Sequence, residues 1–427
     1  MVSDVHTLSD QSPFARHFDS NLSAVIPAAG LHFGGLHFPE RLIYLDHAAA
    51  TPVDSRVLAH MLPWMTQVYG NPANRLHPMG EWAEHGLAHA RQTVAEAVGV
   101  DFDEVVFCAS ATEANNLILR GLTQHPLNKR KKIVVAATEH SSVLTTAQQL
   151  VGSSIDVQIL PVDQAGQIDL NVAEALIDAS TLCTCVMDVN NETGIVQTHL
   201  SELISLAHRH GSLVHVDAVQ GFARGHFHGN HLDFDSATIS GAKIYAGRGA
   251  AALLLKKRTP RVRMSPQITG GGHENGLRSG TPHVSAIAGF AEATRLQVIE
   301  RRERLHYLAH LESIFLSNLK GLTEFKCVGS HSQKTPGIVM LHIPDVNAMK
   351  LIENTKRLCV STGSACRTLQ ATASHVLKAM GFEEDVALSS FRVSIGLTNT
   401  ESEMHEAAQL IAKTAESLKS SSAYFHS

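Results

Sequence analysis

The chain has 427 residues, of which 44% are hydrophobic and 18% charged, enough to bury an ample core in two or three domains. Its formal net charge of -5 gives no long-range positive field for phosphate backbones, which argues against direct contact with nucleic acid. No apolar run approaches the roughly 20 residues that span a bilayer, and the N-terminus lacks the pattern of a secretion signal. The sequence therefore predicts a cytoplasmic protein without a membrane partner, and its six cysteines are too few for a disulfide scaffold.

Residues 1–40 show no hydrophobic periodicity and are predicted to form a partly ordered extension. Apolar strand-like runs then alternate with amphipathic stretches. Strands are predicted at 104–107, 132–135, 182–187, 213–216 and 251–255, and helices at 81–98 and 200–210. This alternation predicts a large α/β domain over residues 41–300, whose mostly parallel sheet is covered on both faces and binds ligands beyond the carboxyl ends of its strands.

A long helical pattern at about 286–310 precedes a second run of helices and strands that continues to the C-terminus. It predicts a domain boundary near residue 300, with residues 301–427 forming a smaller α+β domain. The first residues of the large domain are candidates for packing against this smaller domain.

Small and polar residues follow the first two predicted strands. Ala111 and Thr112 precede a helix expected to begin near Glu113, and the N–H groups of a helix N-terminus suit a phosphate. His140 follows the second strand, where its imidazole can lie flat against an aromatic cofactor ring. Taken alone, the first feature more often marks only a tight turn, and the second more often a polar loop histidine.

Two further strand ends carry charged residues. Asp217 ends a buried strand, where a carboxylate needs a partner such as a protonated pyridine nitrogen. Gln220 can hydrogen-bond a phenolic ring oxygen, and Lys243 lies among small apolar residues, where partial desolvation makes its amine a nucleophile able to form a Schiff base. Together with the phosphate turn and His140, these residues favour pyridoxal 5'-phosphate (PLP).

A histidine-rich stretch at 225–231 invites a metal interpretation. It has no carboxylate or thiolate at convincing ligand spacing, so we predict a polar surface connection and no metal site.

Eight ordered motifs identify a resemblance to a known family. They are residues 44–52 (YLDHAAATP), 70–72 (GNP), 138–140 (TEH), 190–194 (NNETG), 215–218 (HVDA), 270–274 (GGGHE), 278–281 (RSGT) and 363–366 (GSAC). From about Tyr44 to Thr400 the chain resembles the NifS/IscS-type cysteine desulfurases and the related selenocysteine lyases. These belong to the class V aminotransferase group of fold-type I PLP enzymes, so the resemblance implies a mostly parallel seven-stranded sheet and a homodimer.

The resemblance also implies a role for each matching residue. Lys243 matches the Schiff-base lysine, Asp217 the partner of the pyridine nitrogen, Gln220 the contact to the ring oxygen and His140 the ring-stacking imidazole. Ala111, Thr112 and Ser240 match the phosphate site, Thr281 matches a phosphate ligand from the other subunit, and Asn191 and Arg392 match residues that hold the substrate carboxylate. Arginine suits that last role because its planar fork can grip a carboxylate at two points.

Cys366 matches the catalytic cysteine of the resembled family, in a segment of Gly, Ser and Ala. The implied reaction converts L-cysteine to L-alanine. Lys243 removes the Cα proton, Cys366 takes the sulfur as a persulfide, and an acceptor protein then receives it. The sequence does not distinguish iron–sulfur assembly, tRNA thiolation or selenium metabolism as the destination.

Three positions depart from the resembled family. Ala242 stands where histidine is usual, Ser110 where glycine is usual, and Ala246-Gly247 where Gly-Pro is usual. Losing one charge-assisted hydrogen bond weakens binding by about 1.5 to 3 kcal/mol, so we expect weaker PLP retention or altered turnover, with the Ser110 hydroxyl compensating in part. The alternatives left open are a selenocysteine lyase, another PLP lyase or transaminase, and a weakly active or non-catalytic paralogue acting as a scaffold in sulfur transfer.

Overall fold

The computed structural model describes residues 12–14, 17, 42–257, 262–363 and 373–424. Cys366 and most of the N-terminal extension lie outside these described residues. The strands are β1 (Ile43–Tyr44), β2 (Val105–Cys108), β3 (Lys132–Ala136), β4 (Asp156–Leu160), β5 (Thr181–Met187), β6 (Leu213–Asp217), β7 (Ser236–Ser240), β8 (Ala251–Leu255), β9 (Lys326–Cys327), β10 (Ile338–His342), β11 (Leu358–Cys359) and β12 (Ser390–Ser394).

Helices occupy most of the intervening segments. They are α1 (Ser55–Thr66), α2 (Pro78–Val98), α3 (Ala111–Gln124), α4 (Ser141–Leu150), α5 (Leu170–Leu176), α6 (Leu200–Arg209), α7 (Val219–Ala223), α8 (Val284–Ile299), α9 (Arg301–Lys320), α10 (Ala348–Asn354), α11 (His375–Ala379), α12 (Glu384–Leu388) and α13 (Glu401–Tyr424). Within the described ranges, no helix combines the length and the apolar character that crossing a bilayer requires.

A seven-stranded sheet forms the centre of the fold, with its strands in the order β2-β8-β7-β6-β5-β3-β4. The strands from β7 to β4 pair in parallel, and β8 is antiparallel to both of its neighbours. The predicted mostly parallel sheet is thereby confirmed.

Alternate residues of these strands enter two different hydrophobic cores, one on each face of the sheet. In β2, Val105 and Phe107 contribute to one core, and Val106 and Cys108 to the other. This is the period of two that a strand buried on both faces requires. Strands of this kind appear in the sequence as continuous apolar runs, which is why their positions could be predicted.

A second group of strands lies in the C-terminal part of the chain, where β10 pairs antiparallel with β12 and β9. The strand β1 reaches this region and pairs in parallel with β11. Phe14 also enters the hydrophobic core around β10 and β12, and the Ser12 hydroxyl donates to Leu397 O at 2.6 Å. The chain immediately before the large sheet thus packs with the C-terminal strands.

The helical pattern at about 286–310 corresponds to two helices, α8 and α9, that meet at Glu300. Glu300 has φ -99° and ψ 6°, outside the helical range, and its carboxylate pairs with Arg56 and Arg304. The apolar pattern continues across this break because helices on both sides bury residues. The predicted domain boundary near residue 300 stays a prediction.

Candidate functional site

A cavity of about 630 Å³ is lined by the residues that follow the carboxyl ends of the central strands. Nine of the residues predicted for the site line it: Ala111, Thr112, His140, Asn191, Asp217, Gln220, Ser240, Lys243 and Arg392. Thr281 is exposed and does not line this cavity. Cys366 lies outside the described residues, but Gly363 and Ala373, on either side of it in the chain, both line the cavity.

One end of the cavity is formed by the N-terminus of α3. Ser110 is the N-cap, and its hydroxyl oxygen accepts from Glu113 N at 3.2 Å. The Glu113 carboxylate in turn accepts from Ala109 N at 2.9 Å and pairs with Arg278 at 2.6 Å. The first N–H groups of a helix have no partners within it. The N–H groups of Ala111 and Thr112 therefore present the positive end of the helix dipole to this part of the cavity.

Asp217 lies at the end of β6 and is almost fully buried. Its carboxylate accepts from Asn115 Nδ2 at 2.9 Å and from Val219 N at 3.1 Å. Asn115 Oδ1 accepts from His215 Nε2 at 3.1 Å, and burial lowers the pKa of His215 to about 3, so this imidazole is neutral. Two N–H donors therefore fix the Asp217 carboxylate at the cavity wall.

His140 is the N-cap of α4, and its Nδ1 accepts from Ser142 N at 3.1 Å. Because Nδ1 is an acceptor, the proton of the neutral ring resides on Nε2. Burial lowers the pKa of His140, which favours this neutral form. Ser142 Oγ also accepts from the same Asn115 amide that binds Asp217, at 2.8 Å, so one network fixes both predicted residues.

Lys243 lies in a short helical turn directly after β7, between Ser240 and the start of β8. Its amine contacts Ala49 O. Ala242, the position where the resembled family has histidine, also lines the cavity, and its carbonyl accepts from Thr51 N at 3.1 Å. Gln220 Nε2 donates to Ala48 O at 3.0 Å, which leaves the second hydrogen of its amide available.

Arg392 lies in β12, one of the C-terminal strands, and lines the cavity. Its guanidinium donates to Asn191 O at 2.9 Å and pairs with Asp46 at 2.7 Å. Arginine has five N–H donors, so three remain, and the buried Nε has no hydrogen-bond partner in the described structure. A carboxylate is the partner that such a group requires.

Asn115, Ser142 and Glu192 are site residues that the sequence interpretation did not identify. Asn115 is one helical turn beyond the predicted phosphate residues, so a helical projection from Ala111 would have placed it on the same face. Glu192 lies inside the motif at 190–194 and Ser142 lies two residues after the motif at 138–140, but no sequence pattern indicates which way their side chains turn.

These residues fit PLP. The cavity presents a lysine amine for an aldehyde, a buried carboxylate for a pyridine nitrogen, an imidazole for a ring face and a helix N-terminus with two hydroxyl residues for a phosphate. No single member of this set is specific, but the four chemistries converge on one cavity.

The chain was compared with known proteins. The sequence profile of the family described as Aminotransferase class-V matches residues 43–406. A protein named cysteine desulfurase IscS from Rickettsia massiliae (strain Mtu5) is 37% identical over 378 residues, which cover 88% of this chain and 92% of that protein. A solved structure of a NifS-like protein has 31% identity and a TM-score of 0.81, covering 88% of this chain and 99% of that one. A structure described as SspA in complex with cysteine has 28% identity and a TM-score of 0.73, covering 83% of this chain and 99% of that one.

Proposed function

Because the chain belongs to the class V aminotransferase family and, within it, to the IscS-type cysteine desulfurases, we propose that it converts L-cysteine to L-alanine. The sulfur is collected on Cys366 as a persulfide and passed to an acceptor protein. The observation that carries this proposal is the convergence of Lys243, Asp217, His140 and Arg392 on one cavity.

Enzymes of this family depend on PLP, and the residues lining the cavity are suited to hold it. Lys243 would engage its aldehyde, Asp217 its ring nitrogen, Gln220 its ring oxygen and His140 its ring face. The phosphate would be held by Ala111, Thr112 and Ser240, and by Thr281 of the second subunit in a homodimer. When bound, PLP supplies an aldehyde for the substrate amine and an electron-accepting ring.

Proton transfer falls to Lys243, with His140 beside it in the cavity. The Lys243 amine lies at the cavity wall, where it can remove the Cα proton of bound cysteine as a general base. His140 presents its Nε2–H to the same cavity as a hydrogen-bond donor. Asp217 does not move a proton, since its role is to keep a negative charge at one fixed point.

Arg392 and Asn191 orient the substrate. The unused N–H groups of Arg392 bind the substrate carboxylate, and the hydrogen bond from Arg392 to Asn191 O fixes the plane of the guanidinium. This places the substrate between the large sheet and β12.

Sulfur transfer is assigned to Cys366. Its thiolate attacks the sulfur of bound cysteine, so that an S–S bond forms while the bond between that sulfur and Cβ breaks. The electron pair of the broken bond passes to the substrate carbon, which is reduced and takes up a proton to become the methyl group of alanine. Both sulfur atoms are oxidised to the persulfide level, so no external oxidant is needed.

The experiment that tests this function is a single turnover with L-cysteine carrying labelled sulfur. We expect about one label per subunit on Cys366 and an equal amount of alanine. A Cys366→Ser protein should retain no label. If that variant still released alanine and sulfide at the wild-type rate, Cys366 would have no role. The same assay with selenocysteine separates a desulfurase from a selenocysteine lyase, and absence of alanine from either substrate would favour a scaffold.

The partners and location are further proposals that rest on the family. We propose a homodimer, because Thr281 is exposed and outside the cavity of its own subunit. A sulfur-acceptor protein and a cytoplasmic location follow from membership of the IscS-type desulfurases.

A further inference from the structure

A buried histidine behind the cavity has no part in the steps of the proposed reaction. His215 lies in β6, two residues before Asp217, and is fully buried. Asp217 lines the cavity, whereas His215 does not. Residues two apart in a strand point to the same face of the sheet, and Asn115 of α3 contacts both side chains.

The hydrogen bonds of His215 have a defined direction. His215 Nε2 lies 3.1 Å from Asn115 Oδ1. An amide oxygen only accepts, so Nε2 carries a hydrogen and donates it. Burial lowers the pKa of His215 to about 3, so the ring holds one proton and Nδ1 has none. Nδ1 therefore accepts from the Ser236 hydroxyl at 2.9 Å.

The same direction continues through Asn115. Its two amide hydrogens are donated to Asp217 Oδ2 at 2.9 Å and to Ser142 Oγ at 2.8 Å. Because Ser142 Oγ accepts from Asn115, its own hydrogen is left for His140 Nδ1, 2.8 Å away. One chain of hydrogen bonds thus leads from His215 to both of the residues proposed to hold the coenzyme ring.

The opposite orientation of the Asn115 amide is unfavourable. Turning the amide over would bring Oδ1 against the Asp217 carboxyl group and Nδ2 against the hydrogen on His215 Nε2. Two acceptors would then face each other, and so would two donors, and buried polar groups without partners are costly. His215 with its hydrogen on Nε2 therefore selects the orientation that donates towards the cavity.

We infer that His215 is a positioning residue that acts through Asn115 on the two residues proposed to hold the coenzyme ring. The inference rests on the proposed function and deepens it, because it assigns a role in PLP binding to a residue outside the cavity. Without the His215 donor, Asn115 Oδ1 is left unpaired and the orientation that donates to Asp217 is no longer selected. A carboxyl group that is not held in place is a poorer partner for the pyridine nitrogen.

Four variants test this role by their affinity for PLP in equilibrium dialysis. His215→Leu and Asn115→Leu remove the donor and the amide, and each should weaken PLP binding by about three- to ten-fold. His215→Gln keeps an N–H donor for Asn115 and should bind PLP within about two-fold of wild type. Thr294→Val replaces a buried hydroxyl of α8 that makes no hydrogen bond in the described structure. It is the control for a change in the core and should bind PLP as the wild type does.

A second measurement records the His140 ring directly. Histidine rings are labelled with ¹⁵N in protein with and without PLP, and the Nδ1 signal of His140 is assigned by its loss in His140→Gln. This signal should shift in His215→Leu and Asn115→Leu, because the hydrogen bonds around Ser142 change. It should keep its wild-type position in His215→Gln and Thr294→Val.

The outcomes separate this inference from the proposed function. Wild-type affinity and an unchanged His140 signal in His215→Leu would overturn the inference, and His215→Met serves in its place if the leucine variant does not fold. An equal loss of affinity in His215→Gln would also overturn it, since packing would then explain the effect. If wild-type protein binds PLP but forms no alanine from cysteine, the proposed function fails, and the affinities and spectra still decide the role of His215.

Discussion

The carboxyl groups of Glu139 and Asp188 are buried near that of Asp217, which lines the cavity. Burial raises the pKa of Glu139 well above its usual value and that of Asp188 to about 8. Each of these two also has one oxygen without a hydrogen-bond partner in the described structure. Both shifts favour the protonated form of these two groups, whereas Asp217 accepts from two N–H donors and faces the cavity.

Replacing Asp188 should change how stability depends on pH. The folded pKa of about 8 lies above the ordinary value of 3.8 for aspartate, so the folded state retains the proton to higher pH and the wild type loses stability as pH rises through this window. Asp188→Asn removes that loss. Its free energy of unfolding relative to wild type should rise between pH 4 and 8 by at most about 1.4 kcal/mol per pH unit.

Denaturant unfolding at a series of pH values measures this effect. The exposed variant Glu96→Gln should follow the wild type throughout. A constant difference between Asp188→Asn and wild type across the window would mean that Asp188 is ionised in the folded protein.

At the scale of elements, the N-terminus of α3 affects both the stability of the fold and the end of the cavity proposed to bind the phosphate. Ser110 uses its hydroxyl oxygen as the N-cap, and the hydroxyl hydrogen is left to donate towards the cavity. Serine at this position therefore adds a cap to the turn where the resembled family has glycine.

Ser110→Ala should lower the free energy of unfolding by about 1 kcal/mol, and Ser110→Gly by only a few tenths. If the hydroxyl also contacts the phosphate, Ser110→Ala should weaken PLP binding by a further ten-fold or so. Unfolding of the protein with and without PLP separates the two effects. Equal stability of the alanine variant and wild type would show that the cap contributes nothing.

Five strands were predictable because each is a short apolar run buried on both faces. The sequence did not single out β4 and β7, for different reasons. β4 is an edge strand with partly exposed residues, and β7 is built from small and hydroxylated residues whose burial only the tertiary structure reveals. The helical pattern at about 286–310 did not show the division into α8 and α9, because Glu300 interrupts the backbone without interrupting the apolar pattern.

The site was predictable where it follows strand ends and matches family motifs. Positions such as Lys243 and Asp217 are fixed by their place after a strand, so sequence order alone brings them to one edge of the sheet. Contacts that join distant segments were not predictable. The hydrogen bonds from Asn115 to Asp217 and from Ser374 to Glu192 connect residues 102 and 182 positions apart.

At the scale of the whole molecule, Thr281 links the cavity to subunit assembly. In the proposed homodimer its hydroxyl binds the phosphate in the partner's cavity, so Thr281→Val should weaken PLP binding by about ten-fold or more. Equilibrium dialysis gives the affinity, and sedimentation shows whether the dimer persists. Thr198→Val, at another exposed threonine, is the control. Unchanged affinity in a dimeric Thr281→Val protein would contradict this assignment.

Ala251, the first residue of β8, pairs with Cys108 on one side and with Ser240 on the other. Cys108 leads within two residues to the N-cap of α3, and Ser240 leads within three to Lys243. A slip of β8 by one residue would turn its side chains to the opposite face and shift the lysine relative to the helix N-terminus. Such a misfolded molecule would have a nearly native circular dichroism spectrum, but its coenzyme-binding site would not be formed. The yellow absorbance gained on coenzyme binding would therefore measure the fraction of correctly folded molecules during refolding.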